Sequence, residues 1–208
     1  MRFSKPVLFA IGVAACALVA FVAVKAVRMF SAPVPASSGI AIATGAVKLG
    51  GPFALTDQSG KPVTDKDFRG RYMLIYFGYT YCPDVCPTEL QAIGRALDQL
   101  GPKAERIVPI FITVDSARDT PKEMGQFVKA FYPRMVGLTG TPAEIAKVAK
   151  KFRVYYSLGK PSKPGAMDYL VNHTSFLYLM DPDGKFVAIY RGGAGPDAIA
   201  RELRAAIG

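Results

Sequence analysis

Tryptophan is absent, histidine occurs once and cysteine three times, so any site that needs an imidazole has a single ring, His173, to draw on. No Lys/Arg run and no aromatic stripe interleaved with basic residues occurs, which leaves no nucleic-acid groove to propose. No internal repeat is visible, so a solenoid is excluded. Acidic residues are outnumbered 16 to 26, for a net charge of +10. Four of those basic residues, Arg2, Lys5, Lys25 and Arg28, lie in the first thirty positions, leaving 22 against 16 for the rest. That modest excess fits attraction to acidic partners or to an anionic membrane surface.

What is present begins with an apolar leader. After the basic start MRFSK, Pro6 to Val24 carries no charge. At 1.5 Å per residue such a run spans about 28 Å, close to a bilayer core of roughly 30 Å. Residues 1–30 therefore read as a membrane anchor, with residues 7–24 in the lipid bilayer. VAAC at Val13–Cys16 resembles a lipoprotein cleavage box, but the run continues through Leu18, Val19, Phe21 and Val22, and Cys16 reads as a residue of the membrane helix, with lipidation as the lesser alternative. A cleaved signal peptide would have a shorter apolar core, about 7 to 15 residues. Residues 31–49, rich in Ala, Ser, Pro and Gly, read as a flexible tether, and residues 50–208 as one domain.

The domain is organised around YTYCPDVCPTEL, Tyr79 to Leu90. MLIYF at residues 73–77 has the continuous apolar pattern of a strand buried on both faces, ended by Gly78. Beyond the cysteines, Leu90, Ile93, Leu97 and Leu100 recur at helical spacing. Pro87 suits the first helical position, which places Cys86 at the N-cap and Glu89 in the first turn. The positive helix end would then favour the Cys86 thiolate. Pro83 and Pro87 bias Cys82 and Cys86 away from helical dihedrals, toward a kinked loop. Two sulfurs so placed can close a disulfide, hold one metal ion, or serve as inert thiols or a structural staple.

Down the chain, Phe53 to Val63 reads as a hairpin about DQSGK, and IVPIFITV (107–114) as a second buried strand whose Pro109 belongs at a bulge or near an edge. TPKE at Thr120 and TPAE at Thr141 are capping boxes opening two helices. Met124, Phe127, Val128 and Phe131 face the core from the first, Ile145, Val148, Ala149 and Phe152 from the second. KPSKPGA (160–166) is a basic loop. Ser175–Met180 and Lys185–Tyr190 form a hairpin around DPDG, and Pro196 to Ile207 closes the chain with a helix that buries Ile199, Leu203 and Ile207. Strand, cysteine loop, helix, strand, helix, hairpin and closing helix is the order of an α/β, thioredoxin-like domain with a central mixed sheet. In such sheets functional residues gather at the carboxyl ends of the strands, where both cysteines lie.

His173 lies in the loop before the last hairpin. A lone histidine is more often structural, but two thiolates and one imidazole suit copper in either oxidation state. Zinc would usually want a fourth ligand, for which only carboxylates such as Asp84 are at hand. The chain resembles the Sco/SenC family, membrane-tethered thioredoxin-like proteins that deliver copper to cytochrome c oxidase. The resemblance runs from about Phe53 to Arg191 and is carried by FGYTYCPDVCPTEL, VDSARDTP (114–121), VYYS (154–157) and HTSFLYLMDPDG from His173. It implies that Cys82, Cys86 and His173 bind one copper ion, that the cysteines cycle between dithiol and disulfide, and that the dinuclear copper site of oxidase subunit II is the destination. Asn172 stands where many members carry an acid, so the partner of the imidazole falls to Asp168 or to backbone.

Two functions of different class follow. The leading one is a copper metallochaperone, supplied by a periplasmic copper donor or thiol reductant. The alternative is a thiol-disulfide oxidoreductase that keeps the oxidase copper-site cysteines reduced, although CxxxC spacing changes the geometry of closure relative to CxxC. A peroxidase using an activated cysteine at the same strand-to-helix turn is a third. A single anchor, no Ser/Arg-rich transit segment and a dithiol suited to an oxidising space point to a bacterial inner membrane, with the domain in the periplasm.

Overall fold

The computed structural model describes residues 49–208 together with Phe21 and Lys25. The chain divides into two compact units, Met1–Ser37 and Ser38–Gly208. In the first, Phe21 and Lys25 are helical, and the Lys25 ammonium lies 5.9 Å from the Phe21 ring centre. The remainder of the expected anchor, Cys16 included, and the tether up to residue 48 lie outside the described residues. Among the described residues no helix is long and apolar enough to cross a membrane.

The second unit contains β1 (Ala54–Asp57), β2 (Pro62–Thr64), β3 (Tyr72–Gly78), α1 (Val85–Leu100), β4 (Ile107–Thr113), α2 (Pro121–Lys129), β5 (Val136–Thr139), α3 (Pro142–Phe152), β6 (Tyr156–Leu158), β7 (Val171–His173), β8 (Phe176–Met180), β9 (Phe186–Arg191) and α4 (Pro196–Ile207). Seven strands make one mixed sheet in the order β2-β1-β5-β4-β3-β8-β9, while β6 and β7 pair separately. β3 and β4 are parallel and β3 and β8 antiparallel. The α/β, thioredoxin-like class with a central mixed sheet is the one expected from the sequence, while β5, β6 and β7 are strands the sequence reading did not place.

The centre of the sheet is dry because its strands are apolar on both faces. Met73 to Phe77 and Ile107 to Ile112 are all buried, and a fully buried side chain of this size contributes roughly 1.5–3 kcal/mol. Pro109 falls neither at a bulge nor at an edge. It pairs in register with Leu74, while β4 meets β5 only from Ile110 onward. It therefore sits one residue before the second neighbour begins.

The helix starts follow their side chains. At Thr141 the box is reciprocal: Glu144 N–H donates to Thr141 Oγ1 at 3.3 Å, and Thr141 N–H donates to Glu144 Oε2 at 2.7 Å. At Thr120 only half of it forms, Glu123 N–H donating to Thr120 Oγ1 at 3.4 Å, while Glu123 Oε2 is buried without a partner among the described residues. The DPDG turn closes as expected, with Lys185 N–H on Asp181 Oδ1 at 2.7 Å and Gly184 at φ 70°.

Candidate metal centre

β3 delivers the chain to the cysteines. Gly78 ends the strand, Tyr79 is buried beyond it, and Cys82 N–H turns back onto the Tyr79 carbonyl at 3.3 Å. α1 then begins at Val85 with Asp84 as N-cap, so Cys86 is the second helical residue and not the cap expected from Pro87. Pro87 is tolerated one position later because first-turn N–H groups have no intrahelical partner. One of those donors is spent on sulfur: Cys86 N–H points at Cys82 Sγ, 3.3 Å away. The Asp84 carboxylate caps no backbone N–H and only accepts from the Thr88 hydroxyl, at 3.4 Å.

Ready ionisation of Cys86, expected from the helix dipole, is overturned by burial. The side chain is fully enclosed, and desolvation pushes its thiol up, against the pull of a Tyr79 backbone hydrogen bond. Removing a thiolate from water outweighs the field of one helix end. Cys82 is half-buried, and neither cysteine is in a disulfide.

His173 comes from β7, the last residue of a three-residue strand rather than the expected loop, paired with Tyr156 on β6. Its Nδ1 lies 3.2 Å from the Thr174 carbonyl. A carbonyl only accepts, so Nδ1 carries the proton and Nε2 keeps its lone pair. That lone pair faces Cys86 Sγ at 3.3 Å. Burial lowers the imidazole's affinity for a second proton, partly offset by the Thr174 bond. A neutral thiol therefore donates to a neutral ring. Tyr79 and Tyr76 present T-shaped contacts to the imidazole, with ring centres 5.9 and 6.3 Å away.

The three ligand atoms, Cys82 Sγ, Cys86 Sγ and a ring nitrogen of His173, lie within 4.8 Å of one another. A first-row ion bound at about 2.0–2.3 Å by three ligands in a plane needs them roughly 3.5–4.0 Å apart. The folded chain thus holds the set to within about 1 Å of that spacing. The site opens into a depression of about 320 Å³ that Cys82, Pro83, Val85, Leu170 and His173 help line. A larger hollow of about 460 Å³ lies between Pro52–Ala54 and Glu144, Lys147 and Lys151. It holds no thiol or imidazole, so donor chemistry and not size marks the centre.

The two carboxylates considered from the sequence stand apart from the three-atom set. Asp84 borders the same depression but is not part of that set. Asp168 accepts Ser162 N–H at 3.0 Å within its own loop, and those bonds hold its carboxyl below the usual range. The ring's hydrogen-bond partner is the Thr174 backbone instead.

Several residues around the centre were given no role in the site from the sequence. Glu89, expected in the first turn, is buried in the second; its Oε2 accepts Gly193 N–H at 2.7 Å and its Oε1 has no partner among the described residues. Burial pushes its carboxyl up. The turn after β4 buries Asp115, Arg118 and Asp119 together. A run of acids and one arginine directly after the buried strand IVPIFITV was the available signal, since charges that follow a buried strand so closely must pair.

A model of the SCO1/SenC family matches residues 42–208. Protein sco1 of Schizosaccharomyces pombe is 48% identical over 160 residues, covering 76% of this chain and 61% of that protein. The chain spans between about half and three fifths of the length of this and similar curated relatives. Bradyrhizobium japonicum ScoI with copper bound superposes with a TM-score of 0.69 at 48% identity, covering 76% of this chain and 99% of that one. BsSco, a member of the Sco family of cytochrome c oxidase assembly proteins in which a disulfide switch was identified, gives a TM-score of 0.59 at 29% identity, covering 80% and 97%.

Proposed function

This chain belongs to the SCO1/SenC family, and from that premise we propose that it is a copper chaperone. It is anchored by residues 7–24 in a bacterial inner membrane, holds its domain in the periplasm, and delivers copper to the dinuclear site of cytochrome c oxidase subunit II. The observation that carries the reading is the convergence of Cys82, Cys86 and His173 to within 4.8 Å. Two sulfurs and one nitrogen suit copper, and a fourth donor to suit zinc is not in the set.

The geometry divides the labour. Cys86 and His173 are held from the interior, one by α1, the other by β7 and the Thr174 carbonyl. Cys82 is half-buried and borders the open depression. Copper arrives and leaves on the Cys82 side, where an incoming thiolate from donor or acceptor can add before the deeper ligands let go. Loading displaces the proton that burial keeps on Cys86, so copper binding releases protons and tightens as pH rises.

His173→Ala in the full-length protein in detergent tests the ligand set. Expected is a loss of copper affinity larger than the roughly 10–100-fold cost of removing an outer partner, with disulfide formation intact. Unchanged copper retention refutes it.

A second reading, thiol-disulfide exchange with the oxidase copper-site cysteines, is favoured by two unbridged sulfurs on one turn. In that reaction Cys82 and Cys86 give two electrons and two protons to a partner disulfide and close to about 2.05 Å. Turnover on a disulfide substrate that is independent of His173 separates this role from copper delivery.

A further inference from the structure

The two sulfurs sit on a loop and a helix that follow β3, and the imidazole on the separate β6–β7 ribbon; besides the short run from His173 into β8, which pairs with β3, their spacing depends on what bridges the two. The turn Asp115–Asp119, at the carboxyl end of β4, reaches each side. Toward the cysteines, Thr80 donates to Asp119 through its N–H at 3.0 Å and its hydroxyl at 2.6 Å, two residues before Cys82. Thr113 Oγ1 donates to the same carboxylate at 2.6 Å, which ties it to β4.

Toward the histidine, Arg118 Nη1 donates to the carbonyls of Met167 at 2.9 Å and Tyr169 at 2.8 Å, just ahead of β7. Arg118 Nε is paired with Asp115, whose other oxygen accepts the Tyr169 hydroxyl at 2.8 Å. The guanidinium carbon lies 3.9 Å from the Tyr169 ring centre, 4.8 Å from that of Tyr81 and 5.6 Å from that of Tyr79. Tyr79 is the ring set edge-on to His173. Arg118 and Asp115 are 7% and 2% exposed, so this is an enclosed clamp and not a surface ion pair.

We infer that Arg118 is a positioning residue that sets the separation of His173 from the two cysteines by holding the lead-in to β7 against the cysteine loop. This rests on the ligand set proposed above. A planar fork is required, because three acceptors and the tyrosine rings are met at once; an ammonium offers the same charge at one point.

The test is Arg118→Lys in the full-length protein, loaded with Cu(II). Expected is release to a chelator at least about 10-fold faster, as for loss of an outer partner, with a shifted thiolate-to-copper charge-transfer band. Tyr169→Phe, which removes one hydrogen bond and keeps the ring, serves where the lysine variant does not fold, and should give the same change at about 3-fold. Thr141→Ala loosens a helix start elsewhere and should leave both readouts alone. Wild-type release and an unmoved band in a folded Arg118→Lys, or in Tyr169→Phe where that variant decides, overturn the inference, as does an equal effect from Thr141→Ala. His173→Ala in the same assay separates the failures. If it holds copper normally, the ligand set falls; if it loses copper while the Arg118 or Tyr169 variant does not, only the clamp falls.

Discussion

Replacing Gly78 by alanine strikes the centre through space alone. A Cβ built there would lie 2.8 Å from Cys86 Sγ and 2.8 Å from Phe111 Cε2. Ordinary contact between such atoms is about 3.5–4.0 Å, so each neighbour must retreat by roughly 0.7–1.2 Å, or the strand end must shift. Gly78 has no positive φ, and backbone strain therefore contributes nothing. Neither neighbour has room. Phe111 is fully buried, stacked on Tyr76 and tilted against Phe127 at centre distances of 6.2 and 5.5 Å. Cys86 is enclosed, and its sulfur is 3.3 Å from His173 Nε2. Overpacking of this kind costs about 1–3 kcal/mol, which for a domain of this size lowers Tm by roughly 2–12 °C. The displaced sulfur should also weaken copper binding by about 10-fold or more. Thermal unfolding and competition with a Cu(I) chelator measure the two effects. A Tm within about 1 °C of wild type together with unchanged affinity would show that the strand end yields freely, and would remove the claim that this turn is rigidly packed.

The same reasoning reaches other positions. Because burial raises the Glu89 carboxyl, the stability its neutral form contributes is present below the unfolded pKa and is lost as pH rises through the folded one. Glu89→Gln should therefore gain on wild type as pH rises above the ordinary carboxylate range in denaturant titrations, and a difference that does not change with pH refutes the burial argument. Thr141→Ala, losing a reciprocal box, should cost about 0.5–2 kcal/mol, and Thr120→Ala, losing one bond, should fall at the lower end. Equal costs in chemical unfolding would show that the reciprocal bonds add nothing.

Much of the domain is legible in the sequence because its signals are local. The apolar runs 73–77 and 107–112, the TPAE box, the DPDG turn and the spacing of Ile199, Leu203 and Ile207 each specify one element without reference to the others. The three ligands were legible as residues, through the resemblance, but their convergence depends on β6 and β7. Each of those strands has three residues, too few to show a period. Cys86 shows the other kind of gap. The dipole at a helix start can be read from Pro87, whereas the enclosure that overrides it comes from Gly78, Phe111 and His173, which are remote from it in sequence or lie on other elements. Arg118 was visible only as part of VDSARDTP. Its acceptors at Met167 and Tyr169 lie some fifty residues away, and no spacing rule joins them.

That β6 and β7 form a ribbon of their own bears on how firmly the imidazole is held. Three residue pairs, Tyr156 with His173, Ser157 with Asn172 and Leu158 with Val171, make up its ladder, extended at its ends by Gly159 N–H on the Leu170 carbonyl at 2.7 Å and Thr174 N–H on the Tyr155 carbonyl at 2.9 Å, and it shares no strand with the seven-stranded sheet. Local openings of so small a unit need far less free energy than global unfolding. The imidazole is therefore held less by its own strand pair than by what meets the ribbon from outside, the Arg118 bonds to Met167 and Tyr169 among them.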